Sequence, residues 1–373
     1  MKIIINATNL KIGGALQVAI SFIYECREFN ENEYHVFLSP SMKEEVNTKK
    51  FPHNFKFYNF DNPSRLIVFD KTISLLNRME AEIKPDCVFS VFGPTYWKPK
   101  SRHVMGFANG LYLYGDLPYM QKMKGFEKLK FNLIKLYHQF LLKKNADLYV
   151  VQTVDMKNRL SKFIDKPKEK ISVVSSKYHS IFEKEIKDLN LLPKKEACEF
   201  WFVTISAYYP HKKLDIINEL VEIIKEKDLH IKFILTLPNE VIESKFKKSK
   251  EYIINLGTVK LEECPYIYSK ADALFLPTLI ESFTASYPEA MVMKKPILTS
   301  GYSFATSVCK DAALYFNPYD VDDVMKQIIK IYLDKELYQT MVSKALSIVE
   351  ELPSSRQRAE EYLKLCKKVT EDV

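Results

Sequence analysis

The first half of the chain alternates short apolar runs with longer segments in which apolar residues recur at helical spacing. Apolar runs of this length, bounded by polar or turn-forming residues, predict buried strands. We place these strands at residues 2–7, 34–38, 55–58, 87–91, 103–107 and 148–151. Because helical segments separate them, the pattern predicts a parallel, doubly wound α/β sheet.

The second half repeats the alternation, with strands predicted at residues 200–206, 233–237, 253–255, 273–276 and 296–299. Between the last two strands, a polar turn leads into a helix that we expect to begin near Thr284 or Ala285. The charged, proline-containing stretch 184–199 predicts a linker. The sequence therefore divides into a first domain at 1–183, this linker, and a second Rossmann-like domain at 200–354.

Two carboxylates flank the helix start that is predicted after strand 273–276. Glu281 precedes the helix and Glu289 lies inside it. Ligands of such sheets bind beyond the carboxyl ends of the strands, and carboxylates accept hydrogen bonds from the paired hydroxyls of a sugar or ribose. Backbone amides near Thr284 could hold a phosphate at the helix N-terminus. The alternative is that Glu281 caps the helix and Glu289 is a solvated helix residue.

Two other turns offer contacts to a ligand. Lys212, in the turn after strand 200–206, could neutralise a diphosphate at the same sheet edge as Glu281. A solvated surface lysine is the alternative. Gly13 and Gly14 lie between the first strand and a helix, which suits either close approach of the backbone to a ligand or a tight turn with positive φ. The sequence contains neither the dinucleotide-binding nor the P-loop glycine motif.

One part of the second half resembles the donor-binding signature of glycosyltransferase family 4, which uses the GT-B fold. The resemblance is carried by Glu281-Ser282-Phe283, Pro288-Glu289-Ala290-Met291, Lys295-Pro296 and residues 311–318. It implies an α/β protein with two Rossmann-like parallel-sheet domains that face a central cleft. It also implies metal-independent transfer of a hexose-type sugar from a nucleotide-sugar donor to a glycan or lipid-linked glycan acceptor, with retention of anomeric configuration.

The resemblance also assigns roles to individual residues. It places Glu281 and Lys212 in the catalytic positions. The donor-binding residues that it implies are Ser282, Phe283, Thr284, Ala285, Glu289, Gly257, Thr258 and Lys213. On the acceptor side of the cleft it places Gly13, Gly14 and Asn109. The C-terminal segment 355–373 is expected to cross back onto the first domain.

Two positions depart from the family pattern. Relatives often carry a histidine near the transferred sugar where this chain has Asn109, and an asparagine cannot act as a general acid or base near pH 7. The arginine that commonly precedes the donor-side lysine corresponds to Ala207, so one expected cation is missing. Lys213 and His211 are the candidates to compensate for it.

These departures keep two alternatives open. A nucleotide-sugar 2-epimerase of the same fold would release UDP and a modified sugar without any acceptor. A non-catalytic member would bind a nucleotide sugar, or support a partner transferase, without turnover. Bacterial relatives mostly build capsule, O-antigen or similar surface polysaccharides, and the sequence names neither the sugar nor the base.

Length and composition favour a globular protein and argue against a membrane-spanning, zinc-binding or disulfide-rich one. A chain of 373 residues with 47% apolar content is long enough for two domains with substantial cores. No apolar run approaches the roughly 18 residues of a membrane span. Six widely spaced cysteines without a C-x-x-C pair argue against a zinc site or a disulfide framework, and favour a reducing cytoplasm.

The nucleotide sugar is expected as a substrate, and we expect no cofactor, no metal and no nucleic-acid partner. The acidic residues Asp320, Asp322 and Asp323 have the spacing of a metal motif but open a predicted helix. Acidic residues suit the first turn of a helix without any metal, so the pattern favours a helix cap.

Most of the net charge of +8 lies in one segment. Residues 118–144 contain seven lysines and one glutamate, a net charge of +6. Six apolar residues of this segment fall on one helical stripe: Leu129, Leu133, Leu136, Tyr137, Phe140 and Leu141. The pattern favours a crossover helix whose stripe packs on the sheet while its lysines are solvated. The alternative is a peripheral contact with anionic membrane, at the inner membrane face, through Lys122–Lys144.

Overall fold

The computed structural model describes residues 1–11, 13–63 and 70–371. They form two compact units, each built around its own parallel sheet. Unit 1 contains Met1–Ser176 and the C-terminal segment from Pro353, whereas unit 2 contains Lys177–Leu352. Within the described ranges, no helix combines the length and the apolar composition that crossing a membrane requires.

Unit 1 has a sheet of seven parallel strands among its described residues. In chain order these are β1 (Lys2–Ala7), β2 (Glu33–Leu38), β3 (Phe55–Asn59), β4 (Cys87–Gly93), β5 (Arg102–Phe107), β6 (Leu148–Val151) and β7 (Ile171–Val173). Their order across the sheet is β3-β2-β1-β4-β5-β6-β7. The helices between them are α1 (Gly14–Glu25), α2 (Pro40–Glu45), α3 (Lys71–Ile83), α4 (Gly110–Leu113), α5 (Pro118–Gln121), α6 (Gly125–Asn145) and α7 (Val154–Ile164).

Unit 2 has a sheet of six parallel strands in its described part. These are β8 (Phe200–Thr204), β9 (Ile231–Leu235), β10 (Ile253–Asn255), β11 (Ala273–Leu276), β12 (Ile297–Ser300) and β13 (Ala313–Phe316). Their order is β10-β9-β8-β11-β12-β13. The helices of unit 2 are α8 (Ile216–Glu226), α9 (Asn239–Lys245), α10 (Cys264–Lys270), α11 (Ser286–Val292), α12 (Ser303–Cys309), α13 (Val321–Leu333) and α14 (Lys335–Glu350). The last helix, α15 (Ser355–Glu371), belongs to unit 1.

Both sheets contain a topological switch point. In unit 1 the chain builds outward from β1 to β3 and then returns to place β4 on the other side of β1. In unit 2 the same reversal places β11 beside β8. Open α/β sheets bind ligands at such reversals, outside the carboxyl ends of the strands. The topology therefore predicts ligand sites at the loops after β1 and β4 in unit 1, and at the loops after β8 and β11 in unit 2.

The C-terminal helix α15 packs within unit 1. The Phe22 ring of α1 lies edge-on to the Tyr362 ring of α15, with centroids 5.3 Å apart, in the apolar core under the sheet. Buried Arg358 of α15 donates to the hydroxyls of Ser176 and Ser21 at 3.1 and 2.9 Å. These contacts show that the last helix belongs to the same unit as the first sheet. The final two residues of the predicted segment 355–373 lie outside the described residues.

The prediction of a parallel, doubly wound α/β architecture is confirmed. Every predicted strand coincides with an observed one, and the ends differ by at most two residues. The edge strands β7 and β13 were not predicted as strands. Helix α11 begins at Ser286, slightly later than expected.

The boundary between the units differs in place from the predicted domain boundary. The sequence puts the end of the first domain at residue 183 and a linker at 184–199. In the structure the division falls between Ser176 and Lys177, so the predicted linker lies within unit 2. Lys195, for example, pairs with Asp272 just before β11.

The prediction for the lysine-rich segment is right about the helix and wrong about its packing. Helix α6 connects β5 to β6, as expected of a crossover helix. Of the six residues in the predicted stripe, Leu141 alone is buried, and the other five are exposed. The helix packs instead through His138, Leu141, Leu142 and Asn145. The stripe is therefore not the face that covers the sheet.

Candidate functional site

Two loops of unit 2 meet at its switch point. One follows β8 and runs over residues 205–215 to α8, and the other follows β11 and runs over residues 277–285 to α11. Because β8 and β11 pair in parallel, both loops leave the same edge of the sheet. The first loop carries Lys212 and the second carries Glu281.

Lys212 and Glu281 form an ion pair across these loops, in which the lysine Nζ donates to Glu281 Oε1. Each side chain is only 13% exposed. Charges that are shielded from water in this way interact more strongly than exposed pairs do. The structure thus brings together the two residues that the sequence placed in catalytic positions.

The local sequence sets the position of Lys212. Pro210 opens a one-turn 3₁₀ helix, Pro210–Lys212, where its missing N–H is not needed. Lys213 then adopts a left-handed φ of 53° and ends the turn. Lys213 is predicted to bind the donor, and the feature that the structure shows for it is that it terminates the segment that presents Lys212.

A buried threonine that the sequence analysis did not single out braces the two loops. Thr278 Oγ1 lies 3.3 Å from the carbonyl oxygen of His211, which also accepts the N–H of Leu279 at 2.7 Å. The same hydroxyl is 3.4 Å from Glu281 Oε1. Thr278 is fully buried at the end of β11, directly after a proline. Its position at a strand end was the signal that could have identified it.

His211 lies beside the ion pair and stacks on Tyr209, with ring centroids 5.4 Å apart. Burial lowers the pKa of His211, and the neighbouring Glu281 charge opposes that shift. A histidine with a lowered pKa is mostly neutral at pH 7, so His211 is a poor substitute for the missing arginine. Ala207, at the arginine position, is exposed.

Glu289 lies in α11 and has a separate set of contacts. The Tyr268 hydroxyl donates to Glu289 Oε2 at 3.3 Å. Burial raises the pKa of Glu289 to about 7, while the Tyr268 hydrogen bond opposes the shift. A carboxyl that titrates near neutral pH is typical of functional sites. Glu289 is half-buried, so the alternative of a fully solvated helix residue does not fit its position.

The predicted donor-binding residues Ser282, Phe283, Thr284 and Ala285 lie between Glu281 and α11. The first three are half-buried and Ala285 is exposed. Thr284 Oγ1 accepts the N–H of Ser286 at 3.3 Å and so supports the start of the seven-residue helix. These four residues therefore share one loop at the sheet edge with Glu281.

Gly257 and Thr258 follow β10, two strands away from β8. Gly257 has a φ of 68°, which favours glycine, and the place where a Cβ would lie is open. Asn255 holds this loop to the end of β9, because its side chain accepts the N–H of Leu237 at 3.0 Å and donates to the Leu237 carbonyl at 2.9 Å. The pair lies at the sheet edge that also carries Lys212.

The predicted acceptor-side residues belong to unit 1. Gly13 has a φ of 79° and caps α1, where its carbonyl accepts the N–H of Leu16 at 3.1 Å. Gly14 is the first residue of α1, and both glycines are exposed with open space at the Cβ position. Asn109 is the N-cap residue of α4 and is half-buried. A positive φ therefore explains why position 13 is a glycine, whereas position 14 has no positive φ that would require one.

Asn9 is a further polar residue at the switch point of unit 1. Its Nδ2 donates to the carbonyl of Phe92 at 2.7 Å, which ties the loop after β1 to β4. Its Oδ1 is buried and has no hydrogen-bond partner among the described residues. Buried acceptors are normally paired. An amide just past the first strand was the sequence signal for this position.

Asp320 caps the N-terminus of α13. Asp320 Oδ1 accepts the N–H of Asp323 at 3.1 Å, so the cap prediction is confirmed. In residues 1–11, 13–63 and 70–371, no group of three or more His, Cys, Asp or Glu side chains has a geometry that could hold a metal.

Comparison with known sequences finds a family match within unit 2. Residues 192–347 match the family described as glycosyl transferases group 1. The O-antigen chain mannosyltransferase RfbU of Salmonella typhimurium is 27% identical over 201 residues, which are 50% of this chain and 52% of that protein. The chain therefore spans about half the length of this curated relative.

Solved structures share the fold over nearly the whole chain. Anabaena Alr3699/HepE, in complex with UDP and glucose, has a TM-score of 0.70 at 13% identity and covers 99% of this chain and 100% of its own. WaaG, a glycosyltransferase involved in lipopolysaccharide biosynthesis, has a TM-score of 0.70 at 11% identity, with 97% and 98% coverage. Likeness at these identities shows the fold alone, which is GT-B. The residues of unit 2 that match the group 1 glycosyltransferase family include Lys212, Glu281 and Glu289.

Proposed function

We propose that the protein is a retaining glycosyltransferase that moves a hexose-type sugar from a nucleotide-sugar donor to a glycan or lipid-linked glycan. The observation that carries this proposal is the shielded Lys212–Glu281 pair at the switch point of unit 2. It supplies, in one place, an acceptor for sugar hydroxyls and a cation for a diphosphate. The family match of unit 2 supports the same reaction class.

Donor binding would exchange partners within this pair. Glu281 would accept a hydrogen bond from a sugar hydroxyl, and Lys212 would donate to the diphosphate. The exchange keeps both shielded charges satisfied, which matters because an unpaired charge away from water is costly. As the glycosidic bond breaks, negative charge develops on the diphosphate beside Lys212. One fixed donor at such a place contributes roughly 3–4 kcal/mol in well-studied enzymes.

We assign Glu289 to the hydroxyls of the nucleoside ribose. Hydrogen bonds from hydroxyls stabilise the ionised carboxylate and therefore lower its pKa. Because the pKa of Glu289 is about 7 without such partners, donor binding near neutral pH would release a proton. Ser282 to Ala285, together with Gly257, Thr258 and Lys213, are proposed to contact the remainder of the donor.

The transfer is proposed to need no metal, because Lys212 already supplies positive charge to the leaving diphosphate. Gly13, Gly14 and Asn109 are proposed to contact the acceptor. Similarity to the O-antigen mannosyltransferase RfbU supports an acceptor in bacterial surface polysaccharide synthesis, of the O-antigen or capsule type. We propose a cytoplasmic location from the wide spacing of the cysteines.

A donor screen tests the proposal. The purified chain is heated with UDP, GDP, dTDP and ADP sugars, with mannosyl donors included because of the relative named above. A ligand at 100 times its dissociation constant adds about 2.7 kcal/mol to the free energy of unfolding. The best donor is then incubated with acceptor glycans, and nuclear magnetic resonance reads the anomeric configuration of the product.

The account expects nucleoside diphosphate to form only when an acceptor is present, with the donor configuration retained. Release of UDP and an epimerised sugar from donor alone would instead identify a 2-epimerase. Tight nucleotide binding without turnover, across a broad acceptor panel, would identify a non-catalytic protein.

A further inference from the structure

Helix α6 exposes a row of large apolar side chains. Twelve large apolar side chains are exposed in the described residues, and half of them lie on this helix. They are Phe126, Leu129, Leu133, Leu136, Tyr137 and Phe140, with exposed fractions between 41% and 79%. Single exposed apolar residues are ordinary, but a contiguous apolar surface marks an interaction site.

The row faces away from the rest of unit 1. At the helical rotation of about 100° per residue, its six side chains fall within an arc of about 100°. The residues that pack on the protein are His138, Leu141, Leu142 and Asn145, and they fall in a separate arc whose centre is about 140° away from that of the row. Helix α6 therefore has one face that the protein covers and a separate apolar face that it leaves exposed.

Lysines border the uncovered row. Lys130 lies along one side of it and Lys143 along the other, with Lys144 at its C-terminal end. All three are exposed, and the Lys144 Nζ lies 5.5 Å from the centroid of the Phe140 ring. The segment 118–144 contains one acidic residue, Glu127, which falls on a different side of the helix from the row. Apolar and positive surfaces are thus adjacent.

We propose that this face of α6 docks on an anionic lipid bilayer. The apolar row enters the boundary between head groups and acyl chains, and the bordering lysines remain at the level of the negatively charged head groups. A bilayer of this kind complements both features of the surface. A second copy of the chain would bring two segments of net charge +6 together, which repel each other. The inference does not depend on the proposed transfer reaction.

Vesicle sedimentation with the full chain tests the proposal without donor or acceptor. The vesicles contain phosphatidylcholine alone, or phosphatidylcholine mixed with phosphatidylglycerol. In the first variant, Leu129→Gln, Leu133→Gln and Leu136→Gln are combined, because glutamine keeps helix propensity and these positions are exposed. Its matched control combines Leu189→Gln, Leu191→Gln and Leu333→Gln, which are exposed leucines of unit 2.

A second pair of variants tests the charge. Lys130→Gln with Lys144→Gln removes two of the exposed lysines that border the row, and Lys247→Gln with Lys248→Gln removes two exposed lysines of unit 2. A lysine near an anionic surface strengthens binding about fivefold at low salt. The α6 double variant should therefore bind up to roughly 30-fold more weakly than the wild type, and its control should bind normally.

We expect binding to the anionic vesicles, weak or no binding to phosphatidylcholine, and at least a tenfold loss in the leucine variant of α6 with an unchanged melting temperature. Equal binding of the wild type and this variant would overturn the proposal. It would also be overturned by equal binding to both kinds of vesicle, by absence of binding, or by a leucine variant that converts a dimer to a monomer in light scattering.

Discussion

The Lys212 ammonium meets the Glu281 carboxylate across two loops, although the residues are 69 positions apart in the chain. The contact exists because β8 and β11 are neighbours in the sheet and their loops leave the same edge. Both side chains are shielded, yet neither belongs to the apolar core. Changes at this pair should therefore alter chemistry more than folding.

Replacement of Lys212 by alanine should lower turnover about 10²- to 10³-fold, because the leaving diphosphate loses a fixed cation. The free energy of unfolding should fall by only about 1–3 kcal/mol, the cost of leaving one shielded partner unpaired. Steady-state kinetics and urea unfolding measure the two effects.

Lys250→Ala is the matched control for this change. Lys250 pairs with Glu243 on the surface of the same unit, where both side chains are more than half exposed. Such pairs contribute about 0–1 kcal/mol, so turnover should be normal and stability nearly so. Identical kinetics in Lys212→Ala and Lys250→Ala would remove Lys212 from the mechanism.

The raised pKa of Glu289 predicts that the free energy of unfolding depends on pH. Burial raises its pKa from the ordinary value of 4.5 to about 7 in the folded protein. Between these pH values the folded state binds more protons than the unfolded state, so stability falls as the pH rises. The loss contributed by this group is at most about 3 kcal/mol and is complete above pH 7. Glu289→Gln should abolish that contribution.

Urea unfolding at pH 5 and pH 8 checks this prediction. The wild type should lose more stability than Glu289→Gln over the interval. Glu262→Gln, which changes an exposed carboxylate near α10, should retain the wild-type profile. Parallel pH profiles for the wild type and Glu289→Gln would contradict a raised pKa of Glu289.

Gly14→Ala separates the two interpretations of the paired glycines. Gly14 is the first residue of α1, and the Cβ of an alanine there would meet no atom within 4 Å. Folding stability should stay the same or rise by up to about 1 kcal/mol, because alanine favours helix more than glycine does. If the acceptor approaches this backbone, its KM should rise severalfold while donor affinity is unchanged. An unaltered KM would leave Gly14 as a turn residue only.

The sheets were predictable because buried parallel strands appear in a sequence as short apolar runs between helical segments. The meeting of Lys212 and Glu281 was also accessible, since both lie in βα turns of one parallel sheet. The environment of Glu289 could not be predicted from the sequence. Its partner Tyr268 lies on another helix, 21 residues away, and burial depends on how α10 and α11 pack.

Helix α6 shows another limit of sequence patterns. Periodicity identified a stripe but could not tell which face the protein covers, because the buried face is a different one, formed by His138, Leu141 and Leu142 with Asn145. The sequence shows that Thr278 lies at a strand end, but it does not show the contact that Thr278 makes, since this depends on a backbone carbonyl in a distant loop. Contacts between loops follow from tertiary packing rather than from spacing.

The turnover of Glu281→Gln tests the central claim most directly. Glutamine keeps the size of the side chain and an oxygen for Lys212, so the free energy of unfolding should change by no more than about 1 kcal/mol. Glu243→Gln, in the exposed pair, serves as the matched control. With saturating donor and acceptor, we predict that kcat of Glu281→Gln falls about 100-fold or more while Glu243→Gln remains fully active. A kcat of Glu281→Gln equal to that of the wild type would contradict the account.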